Sequence, residues 1–278
     1  FNGKNVIVLS HFFYDESPDS TFLTSTIIDG NNSGSVVTFD SGENTATLLC
    51  GFTIQHGSAY DGGGIYIDTQ SDVTLDSVLI SNNNASFGGG VFLSSKFSSA
   101  TTIIKRVRII SNEATDGGGV YAGSNASGLL KLSNVKVSHN TASRNGGGFY
   151  LHKASNAAEM SDVIISLNTA SEKGGGLCIP SAKPIIQRAL INGNSGSIGG
   201  GIYVSSEADL NLINAVLYGN LGIDNGSAIY GTIDPIVKIY HSTISKNTAS
   251  AQATIFPNDG TKIYFYNSIL WDNDAAEQ

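Results

Sequence analysis

Gly117-Gly118-Gly119-Val120-Tyr121 and Gly146-Gly147-Gly148-Phe149-Tyr150 are two copies of one pentapeptide. The glycine triplet opens six times, at Gly62, Gly88, Gly117, Gly146, Gly174 and Gly199, with a decayed copy at Gly226-Ser227-Ala228. Successive copies are 26, 29, 29, 28, 25 and 27 residues apart. A period in that range marks a solenoid, in which each repeat buries its apolar face only against its neighbours.

A second motif, apolar-x-x-Asn, lies five or six residues upstream of the triplets. It runs Ile80 to Asn83, Ile109 to Asn112, Val137 to Asn140, Ile165 to Asn168, Ile191 to Asn194, Leu217 to Asn220, Ile244 to Asn247 and Leu270 to Asn273. Before it come apolar residues spaced three and then two, as in Leu75, Val78, Ile80 and Leu132, Val135, Val137. After the triplets come alternating pairs such as Ile65 and Ile67, or Phe149 and Leu151. Alternation at period two is the mark of half-buried strands. No segment carries a helical stripe, and Gly weakens a helix by roughly 1 kcal/mol per residue.

The expected fold is therefore all-β, a single-stranded right-handed parallel β-helix of about nine to ten rungs. Rungs about 4.8 Å apart would make a rod of roughly 45 Å, and the general rule for parallel crossovers sets the right hand. A buried Asn can bond to the Asn of the next rung, or adopt the left-handed backbone region. Asn83, Asn112, Asn140, Asn168, Asn194, Asn220, Asn247 and Asn273 are read as such a structural ladder. The glycines permit sharp turns and close approach between rungs. Residues 1–30 break the pattern around Phe12, Phe13, Tyr14, Phe22 and Leu23, and read as an N-terminal cap and first rung. Residues 31–278 read as one continuous run of repeats, truncated at its C-terminal end or packed there on another subunit.

Charged residues make up only 14% of the 278, and the net charge is −8. An acidic surface argues against nucleic acid or an anionic membrane as partner. No run of 18 apolar residues is present to span a bilayer. Cys50 and Cys178 lie several repeats apart and read as buried thiols. The chain does not begin with Met and shows no signal peptide, so it reads as a mature or trimmed piece.

At the glycine and Asn motifs the sequence resembles the repeats of chlamydial polymorphic membrane proteins. Those carry Gly-Gly-Ala-(Ile/Leu/Val) and Phe-x-x-Asn in each rung. Here Gly stands for Ala, and Ile, Val or Leu stands for Phe. It is similar, more closely, to secreted bacterial right-handed parallel β-helix repeat proteins. The opening Phe1-Asn2-Gly3-Lys4-Asn5, then Ile27-Ile28-Asp29-Gly30 and Gly51-Phe52-Thr53-Ile54, and the closing Asn267-Ser268-Ile269-Leu270-Trp271 carry that likeness. The resemblance implies an exported or surface-anchored protein, in some cases an adhesin. It transfers no catalytic residues.

The remaining residues offer thin chemistry. Lys105, Arg106 and Arg108 read as a solvated face. Asp61 and Asp116 precede their triplets, but a rung with Phe87 lies between, placing them about 10 Å apart, too far to share a cation. His139 and His152, with Arg144 nearby, are the weak acid–base candidates. No metal or cofactor is expected. The column Tyr66, Phe92, Tyr121, Tyr150, Cys178, Tyr203 and Tyr230 should point outward as an aromatic stripe. It reads as a self-stacking ladder or, alternatively, as a platform for sugar rings or a partner. The leading expectation is a non-enzymatic secreted or cell-surface protein serving as adhesin, stalk or assembly subunit. Its partners would be glycans or cell-surface proteins, with end-to-end self-association as a further mode. The alternatives are a polysaccharide lyase or hydrolase acting on a lateral face, and a carbohydrate-binding module using the stripe.

Overall fold

A computed structural model of the chain describes residues 2–10, 25–68, 70–94, 101–123, 129–152, 158–250 and 253–275. Its strands stack into three parallel sheets. Two sheets hold nine strands each, one per coil; the third holds eighteen, a pair of short strands in most coils and one long strand in two of them, Leu129–Ser138 and Ala158–Ser166. Nine stacked strands make about eight full turns, a rod of about 40 Å at 4.8 Å per rung. The coil is right-handed. This is the single-stranded parallel β-helix that the periodicity called for.

One coil shows how the sequence closes. Leu129–Ser138 forms the long first face, Thr141–Asn145 the second, and Phe149–Leu151 the third. The next coil repeats it in register: Val135 pairs with Val163, Val137 with Ile165, Ala142 with Ala170, and Phe149 with Leu177. Leu132, Val135, Val137, Phe149 and Leu151 point inward and are buried. They belong to one core that runs from Val37 to Ile244. Each such side chain contributes roughly 1.5–3 kcal/mol by leaving water.

The corners explain the polar columns. The residue before each ladder Asn has left-handed backbone: Asn82, Ser111, His139, Leu167, Gly193, Gly219, Lys246 and Asp272. The ladder Asn residues themselves do not, which corrects the expectation that they could take that conformation. The preceding residue makes the turn, so the Asn side chain is free to point inward. At the next corner Gly117 has φ +68°. Gly119 is needed for a different reason. A Cβ there would lie 2.6 Å from the Gly148 carbonyl oxygen and 3.1 Å from Asn140 Nδ2.

Cys50 and Cys178 are free and buried. Burial pushes the Cys50 thiol up to about 12, so both are inert packing groups. Residues 1–30 supply first-coil strands: Ile7–Leu9 pairs with Leu48–Cys50, and Ile27–Asp29 with Thr53–Gln55. Phe12, Phe13, Tyr14, Phe22 and Leu23, the side chains of the expected cap, lie outside the described residues. At the other end Phe265 and Leu270 continue the core columns of Ile239 and Ile244, and are exposed. Among the described residues no helix is long and apolar enough to cross a membrane.

Replacing Gly119 by Ala should force adjacent coils apart and cost about 1–3 kcal/mol by overpacking. Chemical denaturation measures this directly, and an unchanged midpoint would remove the steric explanation.

Candidate functional site

The chemistry-bearing columns run along the rod, and the Asn column is the most continuous. Asn140 Oδ1 accepts from the Asn112 backbone N–H at 2.9 Å and from Asn112 Nδ2 at 3.0 Å. Asn140 passes the same pair on to Asn168 Oδ1, both at 3.0 Å. The second hydrogen of Asn140 Nδ2 goes to the Ile109 carbonyl at 2.9 Å. The pattern repeats from Asn83 to Asn273, and Gly57 N–H donates to Asn83 Oδ1 at its start. Asn83 to Asn247 are buried. A primary amide alone combines this acceptor with two donors. All eight ladder residues are therefore brought into single file, as scaffold.

A second, shorter ladder escaped the sequence reading. Ala215 N–H donates to Ser242 Oγ at 3.0 Å, and Ser242 N–H to Ser268 Oγ at 3.1 Å. The signal was present in the column Val163, Ala189, Ala215, Ser242, Ser268, which shrinks until a hydroxyl fits.

The aromatic column is also a file. Tyr66, Phe92, Tyr121 and Tyr150 stack face to face with centroids 5.5, 5.4 and 5.0 Å apart. Beyond Cys178 the stack resumes with Tyr203, Tyr230 and Phe256 at 5.6 and 5.3 Å. Lys173 Nζ covers the Tyr203 ring at 5.4 Å in the gap. Phe92 and Tyr203 are buried, while Tyr66, Tyr121, Tyr150 and Tyr230 are half-buried. Burial raises the hydroxyl pKa of Tyr66, Tyr121 and Tyr150. A sugar ring stacks on an aromatic face, and within each stack those faces are already occupied by neighbouring rings. The column offers ring edges and hydroxyls, not platforms.

Charged side chains are likewise matched between neighbouring coils. Asp76 takes Arg106 at 2.5 Å and Lys105 at 3.3 Å. Asp162 and Arg188 form a two-pronged pair at 2.7 and 2.8 Å. Lys238 bonds Asp209 at 2.9 and 3.0 Å. Buried Asp116 accepts from Arg144 Nε at 3.0 Å, and from Asn145 N–H and Nδ2 at 3.1 and 2.9 Å. That hydrogen bond raises the Arg144 pKa. Asp61 lies one Phe87-bearing coil away, and its carboxyl pKa is raised by burial.

The acid–base candidates do not converge. His139 sits at the corner between the first and second faces, Arg144 on the second face, and His152 just beyond the third. His152 instead stacks beside Tyr150 at 6.2 Å. It shares a cleft of about 530 Å³ with Lys183, Ser206, Glu207 and Ile233. Among the described residues no three His, Cys, Asp or Glu side chains gather as a metal site would need.

A family model described as a right handed beta helix region matches residues 52–214. No curated protein and no solved structure matches significantly.

Removing the Arg144 charge leaves Asp116 buried without its cation. Arg144→Met should cost about 2 kcal/mol, below the value for a fully buried pair because the guanidinium is half exposed. Arg188→Met, at an exposed pair, should leave the denaturation midpoint in place. Equal effects from the two would show that burial of Asp116 does not matter.

Proposed function

We propose that this chain, which belongs to the right handed β-helix family, is an exported extracellular or cell-surface rod. It acts as adhesin, stalk or assembly subunit, and it does so without catalysis. The observation that carries this reading is the rung-to-rung consumption of polar chemistry. The amides of the Asn file bond along the axis, the aromatic faces stack on one another, and Asp76, Asp116, Asp162 and Asp209 hold cations of the next coil. What remains is a stiff scaffold whose lateral faces and ends meet the outside. The motif likeness to secreted β-helix repeats and to chlamydial polymorphic membrane protein repeats supports export. Glycans or cell-surface proteins are the partners proposed for the lateral faces, and end-to-end joining is proposed for the ends.

A second reading has one observation in its favour. His152 opens into the cleft that holds Lys183 and Glu207, so a polysaccharide lyase or hydrolase would work there. Ultraviolet absorbance from unsaturated products, after incubation with acidic polysaccharides, distinguishes it; a rate abolished by His152→Ala would replace the scaffold reading.

Location tests the first reading. Protease added to intact cells that make the protein should remove it from the surface or the medium fraction. Full protection until the cells are lysed would refute export.

A further inference from the structure

Halfway along the rod the outward row of the long face changes character. Its stacked positions read Leu79, Arg108, Lys136, then Ile164, Leu190, Val216, then Thr243. The three apolar residues in the middle are exposed. Beside them the left-handed corner positions read Leu167, Gly193, Gly219 over the same three coils. Tyr218 and Leu221 flank Gly219 and are exposed as well.

Leu167 carries two costs at once. Its φ of +56° is one that bulky residues adopt at about 1–2 kcal/mol. Other coils hold Asn82, Ser111 or Lys246 at this corner. Its side chain is also 49% exposed, lying against Gly193. Strain and exposure on one apolar side chain, inside an apolar row, point to a surface that something covers.

We propose that what covers it is a second copy of this chain, packed antiparallel about a two-fold axis through Leu190. That axis, perpendicular to the rod, lays Ile164 on Val216 of the second copy and Leu190 on its own counterpart. It also lays Leu167 over Gly219 of the second copy, where an added Cβ would find nothing within 4 Å. Knob and notch thus stand one coil to either side of the axis and recur twice by symmetry, as an isologous interface requires. The patch is on the order of a few hundred Å², comparable to the largest apolar patch of a typical monomer. It falls below the ~800 Å² per partner of a standard interface, so the dimer is a weak one, with a Kd in the micromolar range or above. This inference does not rest on the rod being exported.

Sedimentation velocity from about 1 to 500 μM should show a shift from the 29.0 kDa monomer toward twice that mass, across the range where such interfaces dissociate. Leu190→Lys points outward, so it should keep the native circular dichroism spectrum and stay monomeric throughout. Leu190→Cys should form a symmetric disulfide under mild oxidation, since Cys50 and Cys178 are buried. Glu113→Cys, exposed but far from the axis, should not. A wild-type monomer at every concentration would overturn the proposal. So would a dimer that survives Leu190→Lys, or cross-linking that is equal at both cysteine positions.

Discussion

Hydrogen bonds that run along the axis, from one Asn amide to the next, hold this molecule in register. Each Oδ1 takes both the backbone N–H and the side-chain N–H of the Asn in the preceding coil. A slip of one residue would bring a left-handed corner residue to the inward position and leave buried donors unmatched, at roughly 1–3 kcal/mol for each orphaned group. Successive triplets are 25 to 29 residues apart, yet the file never breaks. Much of the difference is taken up between the third face and the next long face: Leu93 is followed by the Thr101 strand, but Ile179 already by the Ile185 strand. The corner that bears the ladder changes little because its hydrogen bonds permit no variation.

The same economy governs the rest of the surface. Aromatic rings about 5 Å apart match the rung spacing, so outward tyrosines face one another before they face solvent. Asp116 is buried because Arg144 and Asn145 of the following coil satisfy it. A solenoid built this way spends its polar groups on its own length. The apolar row at Ile164, Leu190 and Val216 and the cleft beside His152 face solvent instead, and the proposed functions are placed there for that reason.

The sequence made the fold legible where a backbone requirement maps onto one residue type. Gly117 needs a left-handed φ, Gly119 needs the missing Cβ, and Asn140 needs an amide; each recurs as the same letter. Columns served by several residue types were harder to read. The hydroxyl file at Ser242 and Ser268 hid inside a row of Val and Ala. The left-handed corner has no single letter to mark it, since residues as varied as Asn82, Ser111, Leu167 and Lys246 hold it, whereas Asn is the residue type that would suggest that conformation from sequence. His139 and His152 sit close in sequence, but a coil carries residues 13 apart to different corners. The outward aromatic column was visible, whereas the occupation of its ring faces became plain only from the stacking distances.

The ladder's cooperativity can be measured by a double-mutant cycle between Asn140 and Asn168. Denaturation of the wild type, Asn140→Ala, Asn168→Ala and the double variant isolates their coupling. If the amide file holds the coils together, the double variant loses less than the two singles combined, with a coupling of about 1–2 kcal/mol. Losses that add to within about 0.5 kcal/mol would show that these side chains are neighbours without being partners, and the central claim would fail.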